Sequence, residues 1–203
     1  EGLSHDPRVA AIELDSAVYA VDAELDNSWG VKRIGAGIVH TGSPETGLAN
    51  KGAGVKIGII DSGINYNHPD LNANYRGGYD FYYYDYDPMD VYGHGTHVAG
   101  TACAADNDNG VKNPDGTPLY GVVGVAPNCD LYSLRVLNEN GVGYFSDIIA
   151  AVQWSTGVPV YLAAWGTTPA TTTQGVKMDV INLSLGTDVY PGTIVEDAFA
   201  NAE

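Results

Sequence analysis

Two residues whose side chains hold or transfer protons stand at special points of the sequence. Asp61 directly follows the apolar run VKIGII and precedes a Ser-Gly turn, so its carboxylate is expected where a buried strand ends. His94 lies within GHGTHVAG, where a helix is expected to begin. The positive end of a helix dipole disfavours imidazolium and keeps a base available near neutral pH. Gly93 and Gly95 leave the backbone beside the ring uncrowded, which allows another chain segment to approach it.

These residue types admit three interpretations. An aspartate and a histidine together serve acid–base catalysis, in which the histidine activates a nucleophile. His97 follows His94 by three residues on roughly the same helical face, so the two rings with Asp61 also suit a metal site. Taken alone, Asp61 is typical of a turn or a helix cap.

Apolar runs that end in turns predict the strands that must carry these residues. The three runs lie at 55–60, 130–137 and 178–186. The small-residue stretch from His94 predicts a helix, and 146–155 predicts a second helix with Ser146 as its N-cap. Strands that alternate with helices indicate an α/β fold with a parallel sheet, whose functional residues gather at the carboxyl ends of the strands.

The composition is that of a globular protein of one or two domains, with 44% hydrophobic and 17% charged residues among 203. A net charge of −16 repels nucleic acid and anionic membranes, so neither is expected as a partner. Cys103 and Cys129 are too few for a disulfide scaffold and too far apart for a zinc signature; one bridge and two buried thiols both stay open. The first residues do not form a signal peptide, so we expect either a cytoplasmic protein or a true start upstream.

Four motifs follow one another along the chain: DSGINYNHPDL at 61–71, GHGTHVAGT at 93–101, GVVGVAP at 121–127 and DVINLSLG at 179–186. Together they resemble the subtilisin-like serine proteases, the subtilases, over roughly residues 27–190. The resemblance implies a three-layer subtilisin-like α/β fold with a mainly parallel sheet flanked by helices, incomplete in this chain. It also implies a secreted, monomeric serine endopeptidase that hydrolyses polypeptides and is made with its own propeptide.

The same resemblance implies a catalytic role for the acidic and basic pair. Asp61 orients His94, which takes the proton from a nucleophilic serine and hands it to the leaving amine. The family also needs that serine and an oxyanion asparagine; neither motif is present, and no serine follows Ser184, which belongs to a substrate strand. We therefore expect a truncated, inactive sequence. The alternative is a catalytically inactive, calcium-binding interaction module with the same fold.

The resemblance assigns two strand ends to the substrate. They are Gly141, Val142 and Gly143 in one segment and Ser184, Leu185 and Gly186 in the other. In the family such ends pair with an extended peptide through main-chain hydrogen bonds, and Phe145 and Ile148 are expected to line an apolar subsite. The run 156–177 is longer than the family's usual connection and either modifies substrate access or is a tolerated loop.

A structural calcium site is a further implication of the resemblance. Its expected ligands are the side chains of Asp70 and Asn107 and the carbonyls of Ala105, Asn109 and Val111. An insertion at 112–120 departs from the family beside this loop. A separate group of aspartates forms either a second cation site or, as we favour, a solvated acidic loop; its members are Asp80, Asp85, Asp87 and Asp90.

The resemblance also divides the chain. Residues 1–22, with a β-type run at 9–21, look like the C-terminal tail of an inhibitory propeptide, and 23–203 look like the N-terminal portion of the peptidase domain. The acidic segment 22–30 is expected to be a linker. Self-cleavage is expected within about residues 20–27.

Overall fold

The computed structural model describes residues 17–20, 29–42, 47–107, 114, 122–162, 171–188 and 192–202. The strands are β1 (Ala17–Ala20), β2 (Lys56–Asp61), β3 (Tyr75–Asp80), β4 (Asp130–Arg135), β5 (Val142–Tyr144), β6 (Pro159–Leu162), β7 (Thr171–Gln174), β8 (Val180–Leu183) and β9 (Leu185–Gly186). The helices are α1 (Trp29–Arg33), α2 (Ala36–Thr41), α3 (Pro69–Asn72), α4 (His94–Cys103), α5 (Phe145–Ser155) and α6 (Thr193–Ala200). No helix among these residues is long and apolar enough to cross a membrane.

A parallel sheet in the order β3-β4-β2-β8 forms the centre of the molecule. It confirms the predicted α/β fold, and the strands predicted at 55–60 and 130–137 are β2 and β4. Because α4 and α5 cover opposite faces of the sheet at β2, the residues of this strand are almost wholly buried, which is why the sequence there is a continuous apolar run.

Alternation along β2 decides which face each side chain reaches. Ile57 and Ile59 pack in one core cluster with Ala99 of α4, whereas Ile60 packs on the other face in the cluster that contains Ile148 of α5. The fold therefore has α4 on one side of the sheet and α5 on the other. Successive strand residues face opposite sides, so Asp61 points to the same side as Ile57 and Ile59, towards α4.

A disulfide bond joins Cys103 to Cys129, with a Cα–Cα distance of 6.2 Å. Both cysteines are fully buried. Cys103 is the last residue of α4 and Cys129 immediately precedes β4. Of the two states that the sequence left open, the structure has the bridge, and it ties the far end of the histidine helix to the sheet.

The boundaries of several predicted elements were wrong. The helix predicted to begin with Ser146 as its N-cap is α5, whose cap is Tyr144 and which makes no side-chain cap hydrogen bond. The run 178–186 forms two strands in different sheets, because the chain leaves the parallel sheet at Ser184. Trp29 and Gly30 lie in α1, so the end of the predicted linker is helical. Of the strand predicted at 9–21, only residues 17–20 lie among the described residues.

The long connection at 156–177 contains the antiparallel hairpin of β6 and β7. Val160 and Leu162 are buried in the core on the α5 side, and Trp154 donates a hydrogen bond from Nε1 to Thr173 at 3.3 Å. The hairpin follows the C-terminal end of α5, whereas the predicted substrate segment at 141–143 lies at its N-terminal end. Eleven helical residues separate the two, a span of roughly 16 Å at 1.5 Å per residue. This position favours a packed surface addition over control of substrate access.

Candidate active site

Asp61 and His94 form a hydrogen-bonded pair where β2 ends and α4 begins. His94 Nδ1 lies 2.8 Å from Oδ1 and 2.9 Å from Oδ2 of Asp61. The Asp61 side chain is fully buried, and that of His94 is 11% exposed. With the Nδ1 proton donated to the carboxylate, Nε2 of a neutral ring is left as the proton acceptor. The pair thus has the arrangement of a general base and the group that orients it.

Burial raises the pKa of Asp61 above its ordinary value of 3.8, because the charged form loses its hydration. Hydrogen bonds from His94 and from the backbone N–H of Ser62, at 2.6 Å, lower this pKa in part. The carboxylate is therefore held by donors in a site that water does not reach.

The two glycines that flank His94 act for different reasons. A Cβ atom on Gly95 would overlap the carbonyl oxygen of Gly63 and lie 3.2 Å from Cβ of Asp61, so the absence of a side chain is what lets the Asp61 turn lie against α4. Gly93 has open space around it but a φ of 103°, a left-handed conformation that favours glycine. The prediction of close approach is confirmed for Gly95 alone.

Segment 17–20 occupies the groove between the two predicted substrate strands. As β1, it lies antiparallel between β5 and β9. The pairs on one side are Ala17–Tyr144, Val18–Gly143 and Tyr19–Val142, and those on the other are Tyr19–Gly186 and Ala20–Leu185. Both strand ends that the sequence assigned to an extended peptide thus carry one in this structure, and it comes from the N-terminal part of the same chain.

The direction of β1 is set by the same pairings. Its last residue, Ala20, is opposite Leu185, and β8 ends two residues earlier, at Leu183. Leu183 pairs with Ile60, the neighbour of Asp61. The C-terminal end of β1 therefore points towards the Asp61–His94 pair.

Other residues assigned to the substrate have mixed positions. Gly141 adopts a φ of 71°, and a Cβ atom there would lie 2.9 Å from the ring of Tyr92. Phe145 and Ile148 are buried in the core on the α5 side. Ser184 lies between β8 and β9 and donates from its hydroxyl to Asn182 at 2.9 Å. The contact of Tyr92 with the Gly141 segment was not predicted from the sequence. Its one signal in the sequence was an aromatic residue two positions before His94.

The predicted calcium ligands that the structure describes lie close together. Asp70 is buried, and its carbonyl accepts from the backbone N–H of Ala105 at 2.8 Å. Asn107 donates from Nδ2 to the Pro69 carbonyl at 3.1 Å, which holds its amide beside Asp70. Asn109 and Val111 lie outside the described residues.

The alternative interpretation, a metal site of His94, His97 and Asp61, finds no support in the structure. Among the described residues, no three His, Cys, Asp or Glu side chains are placed to hold a metal ion. His97 instead borders a cavity of about 600 Å³ that neither Asp61 nor His94 lines.

The group of four aspartates does not form a solvated loop throughout. Asp80 is buried and pairs with Arg135 at 3.1 Å. Asp90 accepts backbone hydrogen bonds at the start of α4. Only Asp85 and Asp87 are exposed, as the acidic-loop prediction required.

Comparison with known proteins extends these observations. The chain is 36% identical to an alkaline protease of Alkalihalobacillus alcalophilus over all of this chain and 42% of that protein, and 35% identical to subtilisin E of Bacillus subtilis over 91% of this chain and 38% of that protein. A crystal structure of a cold-adapted subtilisin-like serine proteinase superposes with a TM-score of 0.53 at 29% identity, covering 75% of this chain and 44% of that one. The chain thus spans less than half the length of these relatives. Because the model of the subtilase family matches residues 52–202, and the sheet carries the fold of that structural neighbour, the chain belongs to the subtilase family.

Proposed function

We propose that the protein to which this chain belongs is a serine endopeptidase in which His94 is the general base and Asp61 orients it. The observation that carries the proposal is the pair itself: His94 Nδ1 contacts both carboxylate oxygens of Asp61, at 2.8 and 2.9 Å, which makes Nε2 the basic atom of a neutral ring. Family membership and the serine proteases among its relatives support the same activity.

In the proposed reaction His94 Nε2 removes the proton of a serine hydroxyl while the serine oxygen bonds to the carbonyl carbon of the substrate. The peptide C–N bond then breaks, and the imidazolium gives its proton to the departing amine, which leaves an acyl-enzyme. Water hydrolyses the acyl-enzyme by the same proton transfers. Asp61 stays ionised throughout and stabilises the imidazolium. The 203 residues contain no motif for the nucleophilic serine or the oxyanion asparagine; because the chain spans less than half the length of its relatives, the proposal assigns both groups to the remaining length of such a protein.

Substrates bind, in this proposal, as an extended strand between β5 and β9. The position of β1 between these strands supports this binding mode, and main-chain pairing makes it tolerant of substrate sequence. The same placement supports a division into a propeptide tail at 1–22 and a peptidase portion from 23 onward, in which the tail blocks the groove of its own chain before processing.

A structural calcium ion is proposed at Asp70 and Asn107. The buried carboxylate of Asp70 and the amide oxygen of Asn107 are oxygen donors of the kind that calcium prefers, and the proposal adds the carbonyl of Ala105. A cation there would join α3 to the segment after α4, and it would supply stability, not chemistry.

Secretion is proposed on an independent ground. The Cys103–Cys129 disulfide is typical of proteins that mature in oxidising compartments, because cytosolic thiols are kept reduced. The strongly acidic composition suits solubility outside the cell.

The test compares two histidines of α4 in the full-length protein. His94→Ala is expected to lower the kcat for a fluorogenic peptide by roughly 10⁶, the loss seen when subtilisin loses its catalytic histidine. His97→Ala is the matched control, because His97 is exposed and lies on the same helix outside the pair, and it should retain the parent activity. A serine-directed phosphonate should label the parent protein and should label the His94→Ala variant far more slowly.

Near-normal turnover by the His94→Ala variant would remove the assignment of the general base. Peptidase activity that a chelator abolishes and a phosphonate leaves intact would replace the serine mechanism with a metal-dependent one.

A further inference from the structure

Asp90 lies four residues before His94. Its carboxylate accepts hydrogen bonds from Ser62, in the turn that follows Asp61, and from Thr96, in the helix that begins at His94. Its Oδ1 accepts from the Ser62 hydroxyl at 2.9 Å. Its Oδ2 accepts from the backbone N–H of Thr96 at 2.9 Å and from the Thr96 hydroxyl at 2.5 Å. One carboxylate therefore holds the turn that follows Asp61 and the first turn of the helix that begins at His94.

Ser62 is the shared point of this network. It is fully buried, and its hydroxyl oxygen accepts from the backbone N–H of Gly95 at 2.9 Å while its hydroxyl proton goes to Asp90. Its own backbone N–H donates to Oδ1 of Asp61 at 2.6 Å. A displacement of Ser62 would therefore move a hydrogen bond of the catalytic carboxylate directly.

The contacts of Asp90 exceed those of a helix cap. A capping residue accepts from the free N–H groups of the first helical turn and of the loop before it. Asp90 does this too, since it accepts from the N–H groups of Tyr92 and Gly93, at 3.0 and 2.8 Å. The bond from Ser62 crosses to a different element, the end of β2. Charge-assisted bonds of this kind are about twice as strong as neutral ones, so the carboxylate fixes the separation of the two elements and not the helix alone.

We propose that Asp90 is a positioning residue for the Asp61–His94 pair and acts through Ser62 and Thr96. The proposal rests on the proposed peptidase function. Since a misplacement of about 1 Å can cost 10²-fold in rate, loss of the carboxylate lowers kcat while substrate binding between β5 and β9 is preserved.

The test uses Asp90→Asn in the full-length protein, with Asp87→Asn as the matched control. Asp87 is an exposed residue of the same loop: its carboxylate accepts from the Tyr66 hydroxyl, and its backbone N–H donates to Asp85. Asp90→Asn is expected to lower kcat per titrated active site by about 10- to 100-fold with KM changed less than about twofold. Asp87→Asn should match the parent. Thr96→Val, which removes one hydroxyl contact of the same carboxylate, serves if Asp90→Asn does not fold and should give a smaller loss of the same kind.

Two further readouts separate a positioning role from a merely structural one. Ser62→Ala combined with Asp90→Asn should cost less than the sum of the two single changes, because each of them already removes the hydrogen bond between Ser62 and Asp90. The NMR signal of the proton on His94 Nδ1, which needs no turnover, should shift or broaden in Asp90→Asn and stay unchanged in Asp87→Asn. Parent-like kcat and an unchanged signal in Asp90→Asn would overturn the proposal. A parent protein that lacks peptidase activity would overturn the proposed function instead, and the signal would still report on Asp90.

Discussion

Gly95 and Gly63 meet with no room for a side chain between them. A Cβ atom built on Gly95 would overlap the Gly63 carbonyl oxygen. Gly63 is the second residue after Asp61, and Gly95 is the first after His94. The closeness of these two backbones is therefore what brings a carboxylate at the end of β2 within 2.8 Å of a ring at the start of α4.

Gly95→Ala should push the two backbones apart. We expect the free energy of unfolding to fall by about 1 to 3 kcal/mol, the usual cost of inserting a methyl group into a packed site. Peptidase activity should fall by about 100-fold, because the Asp61–His94 bond lengthens. Chemical denaturation and peptide turnover of the full-length protein measure the two effects.

Gly100→Ala is the control in the same helix. A Cβ atom there meets nothing within 4 Å, and alanine is favoured over glycine in a helix interior by up to about 1 kcal/mol. This variant should be at least as stable as the parent and fully active. A Gly95→Ala protein that behaves like the Gly100→Ala protein would show that close approach is not what sets the pair.

The sequence predicted the pair but not the reason that it forms. A local pattern identified Asp61 as the end of a strand and His94 as the start of a helix. Asp61 faces His94 because side chains alternate along β2, and this alternation places Asp61 on the same side of the sheet as Ile57 and Ile59. That alternation is not readable in a run that is apolar on both faces, so the side on which Asp61 points needed the structure.

Asp61→Asn should separate activity from stability. Asparagine has one acceptor oxygen, which the Ser62 N–H also uses, and its amide nitrogen donates, so His94 Nδ1 must accept and the ring takes the wrong tautomer; the corresponding change in another serine protease lowers kcat by about 10⁴. Burial raises the pKa of Asp61, which means that folding disfavours its charged form. At neutral pH the variant should therefore unfold no more easily than the parent.

The raised pKa of Asp61 also predicts how the stability of the protein depends on pH. A carboxyl whose folded pKa is raised contributes stability at pH values below its unfolded pKa, and that contribution is lost as pH rises through the folded pKa. The stability of the parent relative to Asp61→Asn should therefore improve in acid. Urea titrations of both proteins at neutral and at acid pH measure this difference. A parent that loses stability relative to the variant in acid would contradict the direction.

Arg135→Met should lower the free energy of unfolding, because it leaves the buried carboxylate of Asp80 without its cation. Both side chains are buried and their charges lie 3.1 Å apart. Removing one partner of a buried pair costs about 3 to 5 kcal/mol. Burial already raises the pKa of Asp80, and loss of the nearby cation raises it further. The defect should be full at neutral pH and should shrink as pH falls through the pKa of Asp80.

The matched control neutralises both partners. Asp80→Asn combined with Arg135→Met should recover much of the lost free energy at neutral pH, since no charge is then left unpaired. Its stability should no longer respond to acid in the same way. A double variant no more stable than Arg135→Met would place the defect in lost packing of the arginine stem instead.

Several elements were not predictable from local sequence. Strand β3 has the sequence YRGGYD, in which two glycines break the alternation of apolar and polar residues. The structure explains one of them, since a Cβ atom on Gly78 would overlap the Ser133 carbonyl oxygen on β4. The hairpin of β6 and β7 consists of two strands of only four residues each, and Gly166 and Pro169 between them do not form one of the two-residue turn signals that identify a hairpin. The position of β1 depends on pairing with strands more than 120 residues away, which no local pattern encodes.

Asp70→Ala should remove the stabilisation expected from the proposed calcium ion. A ligand that binds only the folded state adds about 2.7 kcal/mol at one hundred times its dissociation constant. The melting temperature of the parent protein should rise when calcium replaces a chelator, and that of the variant should rise much less. Asp130→Ala, which breaks an exposed pair with Arg76, is the control and should keep the full calcium response. Equal responses in the parent and in Asp70→Ala would argue against a site at Asp70.

Processing of the N-terminal segment tests the position of β1. The C-terminal end of β1 points towards the Asp61–His94 pair, so the full-length protein should cut itself within about residues 20–27. N-terminal sequencing of the mature protein gives the position, and His94→Ala should stay uncut. Tyr19→Pro removes a backbone donor of a strand that is paired on both sides at this residue. It should slow processing by about five- to tenfold, as expected for one main-chain hydrogen bond of about 1 kcal/mol.

The control for this change is Tyr19→Val, which keeps the backbone N–H and removes the aromatic ring. Main-chain pairing should hold the valine variant in the groove, so it should process at the parent rate. Equally slow processing in both variants would show that the groove recognises the Tyr19 side chain and not the backbone. A mature N-terminus far from residues 20–27 would mean that β1 does not occupy the groove when the bond is cut.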